Sequence, residues 1–349
     1  MTNSVLIVGA SGASTLESSY ARAFNRLNWR VQFWNPAESL EKNARGSRFG
    51  RIFSRLVHVE PWLRKANLDL IQMCDELRPA LLLIITTEGV RGGTLAQIKA
   101  LAPDILIYCV FPDTPHNLTA DRIHCLPFFD RTAVGSPAWV DAFERLGATR
   151  VHYLPFAADT DYHRPVDAAN GKASKRHDVA FIGIWRPQRE ELLEQLAVFD
   201  LRVYGSDYWR THTRPGSPVR AHWAGRTALG AEFATVCASS RIMLNIIDAV
   251  GWPGPNMRAF EQPACRAFSL VTRTPAILSH FTEGETVECY GSIEEARDKI
   301  VFYLKNETAR RRIADASYRF VVEGGHTYLD RARQLLQWAK EDGISLDGE

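Results

Sequence analysis

Short apolar segments alternate with amphipathic segments along almost the whole chain, and this alternation constrains the fold more than any other feature. Strands are predicted at 5–8, 30–34, 80–85, 105–110, 131–134 and 150–154, with helices at 14–27, 93–101 and 137–146 and a helical stretch at 47–78 interrupted near Pro61. Apolar strands separated by amphipathic helices are typical of a parallel sheet covered by helices on both faces. The sequence therefore predicts an α/β protein with doubly wound, Rossmann-like sheets.

A polar segment at 159–177 divides this alternation into two blocks. It reads DTDYHRPVDAANGKASKRH, a composition typical of a linker. A chain of 349 residues is long enough for two domains with separate cores. We expect an N-terminal domain at 1–158, a C-terminal domain at 178–326, and a closing helix at 327–349 that packs back on the first domain. Because ligands bind at the carboxyl ends of such strands, we expect ligand sites at that edge of each sheet.

The segment 254–275, GPNMRAFEQPACRAFSLVTRTP, carries the strongest functional signal. It combines a Pro/Gly-rich loop from Gly254, a predicted helix starting near Asn256 and a buried strand. A helix N-terminus attracts anions because its first N–H groups have no partner within the helix. Arg258 adds a positive charge in the first turn, and Glu261 follows less than one turn later. This pattern predicts a site that holds a phosphate while its carboxylate accepts hydrogen bonds from sugar hydroxyls.

This segment also resembles the C-terminal domain of the group 1 glycosyltransferases, and most closely the branch typified by the spore-maturation protein CgeB. The matching residues occur in the family order and are Gly254, Pro255, Asn256, Arg258, Phe260, Glu261, Ala264, Cys265, Thr274, Pro275, Phe281, Gly284, Glu285, Tyr290, His326, Thr327 and Tyr328. Two earlier stretches, LPFAAD at 154–159 and FIG at 181–183, also fit the family.

The resemblance implies the GT-B fold, in which two Rossmann-like domains face a cleft and the second binds a nucleoside-diphosphate sugar. It implies that Glu261 holds the ribose of the donor. It further implies that Asn256 and Arg258, together with Arg186 and Arg189, meet the diphosphate. Retention of configuration at the anomeric carbon is also expected from the family.

Three residues depart from the family pattern. Arg266 stands where the family has a Gly, and a side chain in the left-handed conformation expected there costs roughly 1 kcal/mol. Pro263 lies inside the predicted helix, where it removes one backbone hydrogen bond. Pro253 stands where the related pattern has an acidic residue, eight positions before Glu261. A first carboxylate for gripping the donor sugar is therefore missing from its usual place.

Arg186 and Arg189 follow the sequence FIGIW, at the first strand–helix turn of the second domain. An Arg side chain binds phosphate with two parallel hydrogen bonds, which favours a contact with the diphosphate. The alternative is a solvated helix start, although cations at a helix N-terminus are disfavoured unless an anion is near.

Two carboxylates follow predicted strands of the first domain. Asp113 follows ILIYCVF and Glu88 follows ALLLIITT, so both are expected at the carboxyl edge of the sheet. Either could take a proton from an acceptor hydroxyl as a general base, and His116 could orient or replace Asp113. The alternative for Asp113 is a turn, because Asp before Thr-Pro commonly caps its own backbone.

The sequence VGASGAS places Gly9, Ser11 and Gly12 in the first strand–helix turn. A dinucleotide site is not predicted, because the third Gly is missing and the second strand ends at Asn35 rather than an acid. Two explanations stay open for the small residues. They either let a phosphate or an acceptor approach the backbone, or they are needed for packing alone.

No metal ion or cofactor is expected. Asp159-Thr160-Asp161 mimics the DxD sequence that holds a metal in another glycosyltransferase class, but it lies at the start of the predicted linker. The histidines and cysteines show no ligand spacing. Cationic side chains and a helix N-terminus can instead take the leaving diphosphate. His326 is expected to cap or pack the last helix, with a phosphate contact as the alternative.

Composition narrows the partners and the compartment. A net charge of +2 does not argue for a nucleic-acid partner. No apolar run is long enough to cross a bilayer, and the N-terminus lacks a signal-peptide pattern. The scattered cysteines predict buried, reduced thiols. These features predict a cytoplasmic protein.

A peripheral membrane contact is one of two interpretations of the segment 45–65. Its predicted helix has a basic face and an apolar face, formed by Arg48, Arg51 and Arg55 and by Phe49, Ile52, Phe53 and Leu56. The apolar face either packs on the domain core or rests on anionic lipid or a lipid-linked acceptor.

The sequence thus predicts a metal-independent hexosyltransferase that uses a nucleoside-diphosphate sugar, with UDP as the expected nucleotide. Its acceptor hydroxyl could belong to a glycan, a lipid-linked molecule, a protein or a small molecule. Two other functions stay open. One is a nucleotide-sugar epimerase or phosphorylase on the same fold. The other is a non-catalytic nucleotide-sugar-binding protein of a surface-polysaccharide or coat assembly.

Overall fold

The computed structural model describes residues 3–44, 60–85, 87–166 and 177–345. The chain divides into two compact units, one formed by Met1–Pro155 with Tyr328–Glu349 and the other by Phe156–Thr327. The C-terminal helix thus belongs to the first unit. The stretch predicted as a linker belongs to the second unit, and its described beginning, 159–166, forms turns there.

The first unit contains a six-stranded parallel sheet in the order β2-β1-β3-β4-β5-β6. The strands are β1 (Ser4–Val8), β2 (Arg30–Trp34), β3 (Leu81–Ile84), β4 (Leu106–Phe111), β5 (Arg131–Val134) and β6 (Val151–Tyr153). The helices described in this unit are α1 (Leu16–Arg26), α2 (Pro36–Asn43), α3 (Glu60–Leu77), α4 (Gly92–Leu101), α5 (Ala120–Cys125), α6 (Val140–Arg145) and, at the end of the chain, α15 (Tyr328–Glu341).

Strands β1, β3 and β4 of this sheet are buried on both faces, which explains their continuous apolar sequences. All four residues of β3 are inaccessible to solvent, and Leu6, Val8, Leu82 and Ile84 pack in one core cluster. Each strand pairs in parallel with its neighbour, for example with Val5 opposite both Val31 and Leu81.

Helix α15 is fixed to the first unit by aromatic and ionic contacts. The Tyr328 ring lies edge-on to Tyr20 of α1, with the centroids 5.2 Å apart. Just beyond α15, Asp342 accepts two hydrogen bonds from Arg131 of β5, at 2.7 and 2.8 Å. Both of these charged side chains are buried, so water does not solvate their charges and each charge is neutralised by the other.

The second unit contains a five-stranded parallel sheet in the order β11-β10-β9-β7-β8. The strands are β7 (His177–Ile182), β8 (Leu201–Tyr204), β9 (Ser240–Asn245), β10 (Ser269–Thr272) and β11 (Glu288–Tyr290). The described helices are α7 (Pro187–Leu196), α8 (Tyr208–Thr211), α9 (Val219–His222), α10 (Ala231–Ser239), α11 (Arg258–Ala264), α12 (Pro275–His280), α13 (Ile293–Lys305) and α14 (Glu307–Val322).

Helices cover both faces of this second sheet. Ile242 and Leu244 of β9 lie in one core cluster, while Met243, between them, lies in another on the opposite face. The predicted doubly wound α/β architecture is therefore confirmed.

Several predicted elements differ from the observed ones. The helix predicted from Asn256 begins at Arg258 and has seven residues. The stretch 137–146 divides into a 3₁₀ turn, Pro137–Trp139, and α6. The sequence patterns also did not predict β11, a three-residue edge strand, because so short a segment shows no clear period.

In each sheet the order in which the chain adds strands reverses at one point, the topological switch point. The candidate sites are described in relation to these two points. In the first sheet the chain passes from β1 to β2 on one side and to β3 on the other. In the second sheet it passes from β7 to β8 on one side and to β9 on the other. Ligands of open α/β sheets bind beyond the strand ends at such a point, since the two flanking loops separate there.

Candidate active site

Three arginines converge near the carboxyl end of β7, at the switch point of the second sheet. Arg186 and Arg189 follow β7 at the start of α7. Arg258, the first residue of α11, reaches back so that its Nε lies 3.4 Å from the Ile182 carbonyl oxygen. The structure therefore brings these three predicted residues together at one edge of one sheet.

Asp248 lies between two of these arginines. Its Oδ2 is 3.1 Å from Arg186 Nε and 3.2 Å from Arg189 Nη2, and its side chain is 5% exposed. Its Oδ1 accepts a hydrogen bond from the Gly251 N–H at 3.2 Å, which ties down the loop after β9. Sequence reasoning missed Asp248. The available signal was an acid within the loop that follows the strand.

The surroundings of Arg189 favour an additional anion. Burial lowers the pKa of the Arg189 guanidinium, Asp248 opposes this shift, and the positive charges of Arg186 and Arg258 lower the pKa further. Its Nε is buried without a hydrogen-bond partner among the described residues. Three arginines face two carboxylates, Asp248 and Glu261, which leaves one positive charge that a phosphate would neutralise.

Arg258 is paired with Glu261 across one turn of α11. The guanidinium carbon of Arg258 also lies 4.8 Å from the ring centroid of Phe233, in cation–π geometry. Glu261 is buried, with a side chain only 3% exposed. On its other side, Glu261 Oε1 is 3.7 Å from Nε2 of His163, a residue that sequence reasoning left within the linker.

Asn256 and Gly254 shape the loop that precedes α11. The side chains of Asn256 and Asn245 exchange two hydrogen bonds of 2.9 and 2.7 Å, which fasten the loop to the end of β9. Asn256 Oδ1 is also 3.3 Å from the Ala259 N–H at the helix start. Gly254 is buried and its N–H donates to the Gly251 carbonyl at 2.9 Å. Both residues therefore hold the loop in shape.

The two departures in the helix after Glu261 have the predicted local effects. Arg266 has a φ of 56°, so it takes the left-handed conformation that a Gly would adopt without strain. Its guanidinium lies over Tyr318, 4.6 Å from the ring centroid. Pro263 lies inside α11, one residue before the helix ends. Among the described residues, no hydrogen bond or ion pair joins either of them to Arg258 or Glu261.

In the first unit, Asp113 caps its own turn. Its Oδ1 accepts hydrogen bonds from the Thr114 N–H at 2.8 Å and from Asn117 Nδ2 at 2.7 Å. His116 lies exposed on the same 3₁₀ turn, Pro115–Asn117. Glu88 lies exposed in the neighbouring loop, 3.9 Å from Arg122 Nη2. The turn interpretation of Asp113 is thus observed, and its other carboxylate oxygen is not used by these two bonds.

The Gly9 turn is surrounded by carboxylates. Glu17 Oε1 accepts a hydrogen bond from the Ala10 N–H at 3.1 Å, and a Cβ at Gly9 would lie 2.4 Å from the same oxygen. Ser11 donates to Glu38 Oε1 at 2.7 Å. The Gly12 carbonyl accepts hydrogen bonds from two hydroxyl groups of the turn. Close packing against Glu17 therefore requires Gly9, and the nearby acids disfavour a phosphate.

Asp159 and His326 have structural contacts. Asp159 Oδ1 accepts a hydrogen bond from the Asp161 N–H at 3.1 Å, which closes a local turn. The His326 ring stacks on Phe260, with the centroids 5.7 Å apart, in agreement with a packing role. Among the described residues, no group of three or more His, Cys, Asp or Glu side chains could hold a metal ion.

Other expectations concern the cysteines and the membrane. Each of the six cysteines is buried and unpaired, and burial raises the pKa of the Cys74 and Cys125 thiols to about 12. Within the described ranges, no helix combines the length and apolar character needed to span a bilayer. Residues 45–59 of the amphipathic stretch proposed for a membrane contact, which include Arg48, Arg51 and Arg55, lie outside the described residues.

Comparisons with known proteins give a family match over part of the chain and a set of similar solved structures. Residues 186–337 match the family described as "Glycosyl transferase-like". No curated protein resembles the chain significantly in sequence. The match covers Arg186, Arg189, Arg258 and Glu261, and so includes the whole arginine cluster.

Solved structures resemble the chain over nearly its full length. Sucrose-phosphate synthase from Thermosynechococcus elongatus has a TM-score of 0.71 and 12% identity, covering 97% of this chain and 98% of that one. HepE from Anabaena, solved with UDP and glucose, has a TM-score of 0.67 and 12% identity, covering 97% and 100%. Trehalose-6-phosphate synthase from Burkholderia multivorans has a TM-score of 0.67 and 11% identity, covering 98% and 99%.

The fold is therefore GT-B, as predicted. The family match over residues 186–337, less than half of the chain, and this fold together support an enzyme of the glycosyltransferase class.

Proposed function

We propose that the protein transfers a hexosyl group from a nucleoside-diphosphate sugar to an acceptor hydroxyl, and that the second unit binds the donor. One observation carries this proposal. Guanidinium groups from two separate elements, Arg186 and Arg189 on α7 and Arg258 on α11, meet at the sheet's switch point beside the buried carboxylate of Glu261. This pairing of cations with a carboxylate suits a ligand that joins a diphosphate to a ribose.

In this proposal the arginines take the diphosphate and Glu261 accepts hydrogen bonds from the ribose hydroxyls. Asn256 and Gly254 keep the loop in the shape that aims Arg258. UDP is the nucleotide we propose, because HepE, which shares the fold, was solved with UDP and with UDP-glucose. The leaving diphosphate gains charge as the glycosidic bond breaks, and fixed cations stabilise that charge without a metal ion.

The first unit is proposed to bind the acceptor. Asp113 and Glu88 follow adjacent strands, β4 and β3, and are the candidates for removing the acceptor's proton, with His116 beside Asp113. The turn at Gly9, Ser11 and Gly12 is better suited to an acceptor's hydroxyl groups than to a phosphate, because Glu17 and Glu38 are close by. The acceptor's identity stays open among glycans, lipid-linked molecules, proteins and small molecules.

The stereochemical outcome is proposed to be retention, as in the group 1 enzymes that the sequence resembles. If transfer persists without Asp113 and without Glu88, the departing phosphate oxygen takes the acceptor's proton in place of a protein base. A place within the CgeB-like branch and a cytoplasmic location, with or without a peripheral membrane contact, belong to the same proposal.

Binding and turnover measured together test this function. Thermal unfolding of the full chain in UDP, GDP, ADP and their sugar forms should show one preferred ligand, because a ligand that binds the native state raises its melting temperature. The preferred sugar nucleotide is then incubated with and without candidate acceptors, and products are followed by NMR. Acceptor-dependent transfer supports the proposal, whereas acceptor-independent change of the sugar would identify an epimerase. Binding without turnover would identify a non-catalytic protein.

A further inference from the structure

His163 lies in a tight turn at the beginning of the second unit. Its N–H donates to the Asp159 carbonyl at 2.7 Å, and the Asp159 N–H donates back to Nδ1 of the His163 ring at 3.1 Å. These two bonds fix both the backbone and the ring of His163. The ring is nearly buried, with 11% of the side chain exposed.

The bond to Nδ1 determines where the ring carries its hydrogen. Because Nδ1 accepts from a backbone N–H, it holds no hydrogen itself, so the neutral ring carries its hydrogen on Nε2. Nε2 lies 3.7 Å from Glu261 Oε1. This separation is longer than a hydrogen bond, but it places a polar N–H beside a buried carboxylate oxygen.

The two oxygens of Glu261 thus have different partners. Oε2 pairs with Arg258, and Oε1 faces His163. Phe233 of α10 lies against both partners, since its ring is 5.2 Å from the His163 ring and 4.8 Å from the Arg258 guanidinium. Two residues far apart in the chain are therefore packed on one aromatic ring around one carboxylate.

We propose that His163 is a positioning residue of the donor site, which holds Glu261 in the orientation that accepts the ribose hydroxyls. This inference rests on the proposed donor function. A diphosphate draws Arg258 away from Glu261, and a buried carboxylate without a partner is strongly disfavoured. The Nε2–H of His163 is then the neighbouring donor that keeps Glu261 aimed at the ribose.

Two substitutions distinguish the positioning of Glu261 by His163 Nε2 from the stabilisation of the 159–163 turn by His163 Nδ1. His163→Asn keeps an acceptor near the Nδ1 position but does not reach Glu261. His163→Gln places an amide near the Nε2 position but gives up the bond from the Asp159 N–H. Affinity for UDP and for 2′,3′-dideoxy-UDP is measured by calorimetry for the unaltered protein and for both variants, and stability is measured by urea unfolding.

We expect His163→Asn to weaken UDP binding about tenfold, which is the order of effect for losing a hydrogen bond to a charged group. His163→Gln, which keeps an amide near the Nε2 position, should weaken UDP binding by less than about threefold. Dideoxy-UDP, which offers no ribose hydroxyls, should bind all three proteins equally. The opposite order, with His163→Gln the weaker binder, would assign His163 to the turn alone. Equal losses for both nucleotides would also overturn the proposal. If the unaltered protein binds no nucleotide, the proposed function itself fails, which is a different result.

Discussion

Arg258 and Glu261 form an ion pair across one turn of α11, with Glu261 almost fully buried. The pair joins the residue proposed to bind the diphosphate with the residue proposed to bind the ribose. A donor that uses both side chains must exchange this ion pair for two new contacts, so phosphate binding and ribose binding are coupled. The first two predictions therefore concern substitutions of Glu261 and Arg258.

Glu261→Gln should weaken nucleotide binding about tenfold, because the amide makes weaker hydrogen bonds to the ribose hydroxyls than the carboxylate does. Calorimetry with UDP measures the effect, and circular dichroism checks that the fold is kept. Glu294→Gln, a change on the exposed first turn of α13, is the matched control. Unchanged affinity in the Glu261 variant would remove Glu261 from the donor site.

Arg258→Ala should lower kcat more than it lowers donor affinity, because charge on the leaving diphosphate grows toward the transition state. A loss of about 100-fold in kcat is the order expected when one such donor is removed. Arg311→Ala, which changes an exposed arginine of α14, serves as the control. Normal kcat together with normal donor affinity in the Arg258 variant would contradict the arginine-cluster argument.

Asp113→Asn separates catalysis from turn capping. The Asn side chain keeps an Oδ1 that can accept from the Thr114 N–H and the Asn117 amide, so the turn should survive while the basic group is lost. If Asp113 is the general base, transfer should fall by about 10²–10⁴-fold, with UDP affinity near that of the unaltered protein. Steady-state transfer assays give the answer. Transfer at half the normal rate or more would leave Asp113 as a turn cap, and Glu88→Gln would be tested next.

Stability of the second unit should fall in acid because of the network around Arg273. Hydrogen bonds from Arg273, which donates at 2.5–2.9 Å, lower the pKa of both Glu283 and Glu295, and Lys299 lowers them further. A carboxylate with a folded pKa below its unfolded value, about 4.3, stabilises the fold above that pH and loses this contribution as the pH falls.

Urea unfolding between pH 7 and pH 3 measures this dependence. Glu295→Gln should be less stable than the unaltered protein at pH 7, and the difference should shrink below about pH 4. Glu307→Gln, in an exposed pair, should show the pH dependence of the unaltered protein. A constant difference between Glu295→Gln and the unaltered protein at every pH would show that the ionised network does not stabilise the fold.

Local patterns in the sequence were sufficient for most elements and for part of the site. The bounds of β2 and β5 agree with the predicted ones, because strand periods are set by neighbouring residues. Arg258 and Glu261 could be placed on one helix face from their spacing alone. The left-handed conformation of Arg266 could also be predicted, from the Gly that the family has at this position. This conformation is local too, because it depends on the end of the adjacent helix.

Only the tertiary structure showed which distant residues complete the site. Asp248 meets Arg186 and Arg189 because β7 and β9 are neighbours in the sheet, although β8 lies between them in the chain. His163, in a segment whose polar composition predicts a linker, packs beside Glu261 because the described part of that segment, 159–166, forms turns within the second unit. Asp113 likewise needed the structure, since an acid at a strand end can serve as a base or as a turn cap with the same sequence. Strand order and long-range packing depend on the burial of the whole chain, so no short pattern of residues determines these contacts.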